Sequence, residues 1–536
     1  MPTFRGMAEG VSVLPVLLSQ PPPAIPPQAM AIVDDAHTQS LKHRVDLWMR
    51  SAGRKAGRKI LRSLRRKRPS RIVILPYLPP EIWGLVIHHA SLLYYDPLDT
   101  SNELSFLEQH PLRLATYRAA MELKTAIALV SKQWNAFVRI PLYEFIWIDR
   151  ASQARALTRT LLTEARDGNA TRCASGEYIR RLHIETPILE RCSPTDLRAI
   201  LDHAPHLCMY SDYHSIQRSL FSETEDPRCT PEEILKLVAH PKMRRLSWTS
   251  YGDVPFHIRM GPLLTNLSTQ LEYLELSSCF SNVRTEVTDP SHRLVKQEPQ
   301  MPVCLPSLRA LKVSLDNNTF AVLAEWTMPQ LENLSVLSSD FSYTGPGFAS
   351  FLEAHGTKIR QLELGHCSTT VEGYYLTAPQ HASQSQSSMS LAERLPNLRE
   401  FICSADAEWH WQSPDWVAPH ILLPTHPTVE FIGIRDLHIR LRNDPDYAAG
   451  EPFFPLYTQM CDLLSVDLFP SLRFIRDLSE ESHKIRMEKP NPRVTRFWMN
   501  VVERYKDRGV WAEDYTGVNI TLNTLHRANL TNTDPN

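Results

Sequence analysis

Glycine is scarce in this sequence, with 18 residues among 536, whereas proline is frequent at 41. This scarcity argues against an enzyme fold rich in phosphate-cradling glycine loops. The nine cysteines are scattered and form no Cys-x-x-Cys pair, so we expect free thiols in a reducing compartment rather than a disulfide framework or a zinc ribbon. No apolar run reaches the roughly 18 residues that a membrane-spanning helix needs. The net charge of -1 indicates no particular partner.

The common catalytic signatures are also missing. The sequence contains no GxGxxG, GxxxxGK[ST], GxSxG or HExxH motif. His88 and His89 are adjacent, so they cannot share one helical face as paired metal ligands do. His203 and His206 have no well-placed Cys or acidic partner. We therefore predict no enzymatic activity, no cofactor and no metal site.

Residues 1–73 are predicted to be a disordered N-terminus, because the proline-rich run Pro21–Gln28 prevents regular structure. The segment Arg50–Arg71 holds eleven Lys or Arg residues and no acidic residue. Three roles remain open for it: a nuclear-import signal, a solvated linker, or a patch for nucleic acid or anionic lipid. The apolar stretch Val11–Leu18 contains a proline and has little positive charge before it, so we do not expect a secretion signal.

Residues 74–148 are the first strongly apolar stretch, and we predict a helical domain there. Two helical faces are indicated by apolar spacing, at Trp83, Val86, Ile87 and Ala90 and at Leu123, Ile127, Val130, Trp134, Phe137 and Val138. Pro141 is expected to end the second helix. The interval Ser91–Met121 contains the polar run Tyr94–Pro111 and is predicted to be an insertion that loops out or adds a helix.

Three short motifs within this stretch follow the order of a known module. They are LPPEI at Leu78–Ile82, LVSKQW at Leu129–Trp134 and LYE at Leu142–Glu144. In these residues the chain resembles the F-box, a three-helix module. With the repeats described below, it resembles the F-box proteins with degenerate leucine-rich repeats that are common in mushroom-forming (basidiomycete) fungi. The chain departs from the family in its insertion, about 91–121, and in Ser131, where Cys is common.

This resemblance implies a docking role. F-box helices bind the Skp-type adaptor of a cullin–RING ubiquitin ligase, and the matching residues here are Leu78, Pro79, Ile82, Val130 and Trp134. Apolar side chains of this kind suit a helix that lies in an apolar groove. The alternative is that they only pack a helical hairpin.

A weak repeat follows in residues 149–520. Its unit is apolar-x-x-apolar-x-apolar, often preceded by proline, and its copies begin at Ile179, Met243, Leu271, Leu308, Leu331, Ile359, Leu398 and Val429. Degenerate copies begin at Leu207 and Leu472, where the third position is Asp212 or Asp477. The pattern predicts an α/β leucine-rich-repeat solenoid, in which each unit adds a short parallel strand. Cys279 and Cys367 are predicted to lie buried in the bends after their strands.

Alternation along each predicted strand indicates which residues line the concave face of the solenoid. The candidate target-binding residues there are Arg181, Arg245, Tyr273, Glu275, Phe431 and Arg435. The larger set of concave positions is mixed in sign and does not form a basic stripe, so it favours a protein or peptide ligand over nucleic acid. An idle, solvated face is the alternative.

The C-terminal stretch Arg496–Gly517 is predicted to contain an amphipathic helix that caps the last repeat. Phe497, Val501 and Tyr505 share one face of it, and Gly509 is expected to end it. Residues 521–536 are predicted to be a flexible tail.

The sequence thus favours a non-catalytic substrate-recognition subunit of an SCF-type ubiquitin ligase, acting in the nucleus or the cytoplasm. Its F-box would dock on the Skp-type adaptor and through it on the cullin and RING subunits. Its repeats would hold a target protein close to them and so raise the effective concentration of that target. No small-molecule substrate is expected. The alternatives are a leucine-rich-repeat scaffold without a ligase role, or a nucleic-acid- or membrane-associated protein that uses Arg50–Arg71.

Overall fold

A computed structural model of the protein describes the residues 79–92, 96, 98–107, 114–167, 174–213, 215–216, 226–250, 269–278, 303–314, 317–337, 346–365, 389–404, 421–422, 426–438, 441, 457, 460, 466–486 and 491–532. The chain divides into two units, residues 1–90 and residues 91–536. The predictions made for Arg50–Arg71, Leu78, Cys279 and Cys367 lie outside the described residues.

The described residues contain eleven α-helices, which we number in chain order. They are α1 (Pro80–Ser91), α2 (Leu114–Ala128), α3 (Lys132–Glu144), α4 (Ala151–Asp167), α5 (Pro194–Asp202), α6 (Pro231–Val238), α7 (Asn317–Ala324), α8 (Pro346–His355), α9 (Leu391–Arg394), α10 (Pro492–Tyr505) and α11 (Leu522–Asn532). Within the same ranges, no helix has the length and apolarity needed to cross a membrane.

Fourteen strands are described, and twelve of them form one sheet. The strands are β1 (Phe145–Ile148), β2 (Arg181–Ile184), β3 (Met209–Asp212), β4 (Arg245–Ser250), β5 (Tyr273–Ser278), β6 (Ala310–Ser314), β7 (Asn333–Leu337), β8 (Gln361–Gly365), β9 (Met389–Ser390), β10 (Glu400–Ser404), β11 (Ile421–Leu422), β12 (Phe431–Arg435), β13 (Phe474–Asp477) and β14 (Trp511–Glu513). Strands β9 and β11 pair separately. In the large sheet every pair is parallel and the strand order follows the chain.

This arrangement is an α/β fold with a solenoid-like parallel sheet, as the repeat predicted. All ten predicted repeat copies coincide with a strand of the sheet, β2 to β8, β10, β12 and β13. Their central apolar residues are in register from strand to strand and are fully buried, for example Leu246, Leu274 and Leu311. Together with apolar residues of α4 to α8 and α10 they form one continuous core. Each such leucine contributes roughly 1.5–3 kcal/mol relative to an exposed position.

The two degenerate repeat copies place an aspartate where the others bury an apolar residue. Asp212 and Asp477 are both almost completely buried. Asp212 Oδ1 accepts the backbone N–H of Ser215 at 3.1 Å, and Asp477 Oδ1 accepts that of Ser479 at 2.8 Å. The aspartates thus satisfy backbone donors in the bend after the strand, which explains why a polar residue is tolerated there.

The helical region before the sheet differs from the prediction in two respects. The second predicted helical face is divided between α2 and α3, because the chain turns at Leu129 and Val130. Ser131 then caps α3 by accepting the backbone N–H of Trp134 at 3.1 Å. The expectation that Pro141 ends this helix was wrong, since α3 continues to Glu144. Pro141 lies in the last turn of α3, and its missing N–H costs the helix one hydrogen bond.

The C-terminal helix is confirmed as α10, with Phe497 and Val501 buried and Gly509 in the left-handed region at a φ of 74°. The tail predicted to be flexible is instead helical over α11 and packs on α10, with Leu525 fully buried. Its sequence has few apolar residues and weak periodicity, so the helix depends on tertiary packing that the sequence pattern does not show.

Candidate functional site

Side chains from the large sheet form two rows on the sheet face opposite the helices, which we call the concave face. The strand register places in the first row Phe145, Arg181, Met209, Arg245, Tyr273, Ala310, Asn333, Gln361, Glu400, Phe431, Phe474 and Trp511. The second row contains Trp147, His183, Ser211, Ser247, Glu275, Lys312, Ser335, Glu363, Ile402, Gly433, Arg476 and Glu513. The structure therefore brings the six predicted target-binding residues to one face, with Arg435 at the end of β12.

Much of the concave face is covered by residues 98–107 of the same chain, which we call the covering segment. It contains one turn of 3-10 helix at Ser101–Leu104, and Glu103, Leu104 and Phe106 are buried. As a consequence, Arg181 and Arg245 are each only 1% exposed. The predicted insertion Ser91–Met121 thus supplies the covering segment and the beginning of α2.

Glu103 binds two arginines at once. Its carboxylate accepts hydrogen bonds from both terminal nitrogens of Arg181 at 3.0–3.1 Å and forms an ion pair with Arg245 Nη1 at 2.7 Å. The three side chains are each 1% exposed. Since Arg181 and Arg245 are two strands apart, one carboxylate bridges about 10 Å of the sheet. A buried triad of this kind depends on all three members, because unpaired charges in a dry site are costly.

Beyond Glu103, side chains of the sheet bind the main chain of the covering segment. Asn333 Nδ2 donates to the carbonyl of Leu104 at 2.7 Å. Gln361 Oε1 accepts the backbone N–H of Phe106 at 2.6 Å, and Arg435 donates to the carbonyl of Phe106 at 2.6 Å. The backbone of the segment is therefore recognised by three different strands.

Leu104 and Phe106 enter an apolar cluster with Tyr273, Ala310, Ile402 and Leu478. In a flat sheet Tyr273 on β5 and Ile402 on β10 would be about 19 Å apart, since four strand spacings of about 4.8 Å separate them. Leu104 and Phe106 thus belong to one apolar cluster with residues that lie several strands apart in the sheet. A Cβ atom on Gly433 would lie 2.7 Å from the Leu478 side chain and 3.2 Å from that of Leu107, so a larger residue there would displace the Leu478 side chain.

A second charged cluster lies beside this apolar one. Glu275 pairs with Lys312 at 2.8 Å and accepts hydrogen bonds from the hydroxyls of Tyr273 at 3.2 Å and Tyr213 at 3.1 Å. Burial alone would raise the pKa of Glu275, but Lys312 and Arg245 lower it to about 2. The guanidinium of Arg245 also stacks 3.7 Å above the Tyr273 ring. Five of the six predicted residues, all except Phe431, thus form hydrogen bonds or ion pairs with other groups of the protein.

The C-terminal end of the concave face is more open. The rings of Phe431, Phe474 and Trp511 follow one another at 6.4 and 6.1 Å, and Trp511 is 54% exposed. Arg476 stacks 4.9 Å from the Phe431 ring and pairs with Glu513 at 2.7 Å. Phe474 and Arg476 were not among the predicted target-binding residues, because the repeat copy that begins at Leu472 is degenerate. Their places at the x positions of that copy were the signal that could have identified them.

The residues predicted to bind the adaptor lie elsewhere. In the first unit, Pro79 and Ile82 are exposed, as are Leu85 and Val86 on the same helix α1. In the second unit, Val130 is 60% exposed beside Leu129 at 71%, whereas Trp134 is half-buried. Of the ten exposed large apolar residues in the described part of the chain, six lie between residues 79 and 144: Ile82, Leu85, Val86, Leu129, Val130 and Ile140.

Within the described ranges, no group of three or more His, Cys, Asp or Glu side chains is placed to hold a metal ion. No protein-family model matches the sequence, and no curated protein matches it. The functional assignment therefore depends on the residues and their geometry.

Proposed function

We propose that this chain is the non-catalytic substrate-recognition subunit of an SCF-type ubiquitin ligase, acting in the nucleus or the cytoplasm. In this proposal residues 74–148 are an F-box that docks on the Skp-type adaptor, and the parallel sheet is a leucine-rich-repeat receptor for a target protein. The observation that supports it is the exposure of apolar side chains at the motif positions, above all Ile82 and Val130.

Large exposed apolar side chains are expected to be scattered over the surface of a soluble monomer, and a concentration of them marks an interaction site. Here the motif LPPEI leads into α1, which exposes Ile82, Leu85 and Val86. The motif LVSKQW exposes Leu129 and Val130 at the turn before α3. Each of these side chains contributes roughly 1.5–3 kcal/mol when it is fully buried by a partner.

The test is a pull-down of a recombinant Skp-type adaptor by the full chain. We expect the wild type to retain the adaptor and the double variant Leu78→Ala/Pro79→Ala to lose it. Ile82→Asp should also lose it, because a carboxylate would be buried against an apolar groove. Leu189→Asp is the matched control, since Leu189 is 97% exposed and lies outside the motifs. A wild type that retains no adaptor would contradict the ligase role and favour a scaffold.

A further inference from the structure

The covering segment is bound in the way that a receptor binds a peptide. An acidic anchor, Glu103, enters a site formed by Arg181 and Arg245. An aromatic anchor three positions later, Phe106, enters an apolar pocket whose wall includes Tyr273, and the two rings are 6.4 Å apart. Between and around the anchors, side chains bind the main chain, a form of recognition that does not depend on the peptide's own side chains.

The covering segment is not a strand of the sheet. No strand pairing of the described chain includes residues 98–107, and their backbone-to-backbone hydrogen bonds are local, such as that from the Glu103 N–H to the Thr100 carbonyl at 3.0 Å. The segment is held by side chains of the sheet instead. Its departure would leave the parallel ladder β1 to β14 complete, so another peptide could take its place without rebuilding the fold.

The charges determine what such a peptide must carry. Arg181 and Arg245 are 1% exposed and lie in one row of the sheet, with only Met209 between them. Two cations in a dry site need an anion, because guanidinium groups stay charged and their burial without a counter-charge is costly. A carboxylate in a bidentate contact meets this need, as that of Glu103 does. The apolar pocket adjacent to it adds the requirement for a large apolar side chain.

We propose that the concave face is a peptide-binding site that the covering segment occupies in cis. Its ligand in trans is a peptide of a target protein with an acidic residue followed three positions later by an aromatic residue. The inference deepens the receptor role proposed above, but peptide binding is measured without the adaptor, so either proposal can fail alone. The tethered segment acts at an effective concentration on the order of millimolar, which keeps the site closed to weak ligands.

The experiment uses a fluorescently labelled peptide, SNELSFL, which is the sequence Ser101–Leu107. Its binding to the full chain is followed by fluorescence anisotropy, with the wild type and the double variant Glu103→Ala/Phe106→Ala. The matched control is Leu189→Ala/Glu190→Ala, which removes one apolar and one acidic side chain from an exposed turn. A second peptide, SNQLSAL, lacks both anchors.

The double variant is expected to bind SNELSFL at least about 100-fold more tightly than the wild type, the ratio that a tethered competitor imposes. The control should behave as the wild type, and SNQLSAL should bind none of the proteins. Because the double variant exposes buried charge, its thermal unfolding is measured with and without peptide, and SNELSFL should raise its Tm. A folded double variant that does not bind SNELSFL would overturn the proposal. The proposal would also be overturned if the double variant shows no cooperative unfolding transition and added SNELSFL does not restore one.

Discussion

Replacing Glu103 by glutamine should cause a large loss of stability, although it changes the shape of the side chain very little. The carboxylate of Glu103 neutralises two arginines, and all three side chains are 1% exposed. Glutamine keeps the volume but removes the charge, so Arg181 and Arg245 remain buried without a counter-charge. Breaking a buried ion pair in this way costs about 3–5 kcal/mol. We therefore expect the free energy of unfolding to fall by about that amount.

The assay is urea-induced unfolding of the full chain, with Glu332→Gln as the control. Glu332 also pairs with an arginine, Arg309, at 3.3 Å, but the two side chains are 35% and 49% exposed. An exposed pair contributes at most about 1 kcal/mol. Equal losses for Glu103→Gln and Glu332→Gln would refute the argument from burial.

The same argument makes a prediction about removing all three charges together. The triple variant Glu103→Leu/Arg181→Met/Arg245→Met leaves no buried charge at this site. It should therefore be more stable than Glu103→Gln alone, as replacing a whole buried triad by apolar residues is often neutral or stabilising. A triple variant less stable than Glu103→Gln would show that the charges contribute more by pairing than they cost by burial.

Three further predictions concern other parts of the fold. Burial raises the pKa of Asp477 from 3.8 to about 7, so its stabilising contribution is complete below pH 4 and is lost as the pH rises through 7. In urea unfolding, Asp477→Asn should therefore raise the free energy of unfolding by at most about 4 kcal/mol at pH 8 and by little at pH 4. Equal increases at the two pH values would contradict this. Gly433→Ala should lower the free energy of unfolding by about 1–3 kcal/mol, because the added Cβ atom would lie against the Leu478 side chain. Its effect should couple to that of Leu478→Ala in a double-mutant cycle, and additive effects would contradict this contact. Ser131→Ala should lower the free energy of unfolding, measured by thermal unfolding, by about 1 kcal/mol, because alanine removes the cap of α3. Ser131→Asp should lower it much less, because aspartate can still cap the helix. Equal losses for the two variants would argue against the cap.

The strands were predictable because their signal is local. Each copy of the repeat, such as Leu271–Leu276, carries its own alternation of apolar and other residues, and the structure places a parallel strand at every copy. The helix α10 follows from a local pattern in the same way, although it ends at Tyr505 and a 3-10 turn at Lys506–Arg508 precedes Gly509. By contrast, the prediction that α3 ends at Pro141 was wrong, because the helix continues through this residue to Glu144.

The covering segment was not predictable from such patterns. Its contacts join residues far apart in the chain, 78 positions for Glu103 with Arg181 and 255 for Phe106 with Gln361. The stretch that contains it is mostly polar and carries no periodicity that would indicate burial. The one available signal was the pair of arginines at concave positions of β2 and β4, because two such cations require an acidic partner when they are buried.

The most direct test of the central claim is an equilibrium titration of the full chain with the Skp-type adaptor by isothermal calorimetry. If Val130 and its exposed neighbour Leu129 belong to the docking surface, the wild type forms a one-to-one complex. Val130→Asp then weakens it by at least about 30-fold, the loss expected for an interface hot spot. Leu189→Asp leaves the affinity unchanged. No heat of binding with the wild type, or equal affinities for wild type and Val130→Asp, would contradict the docking role.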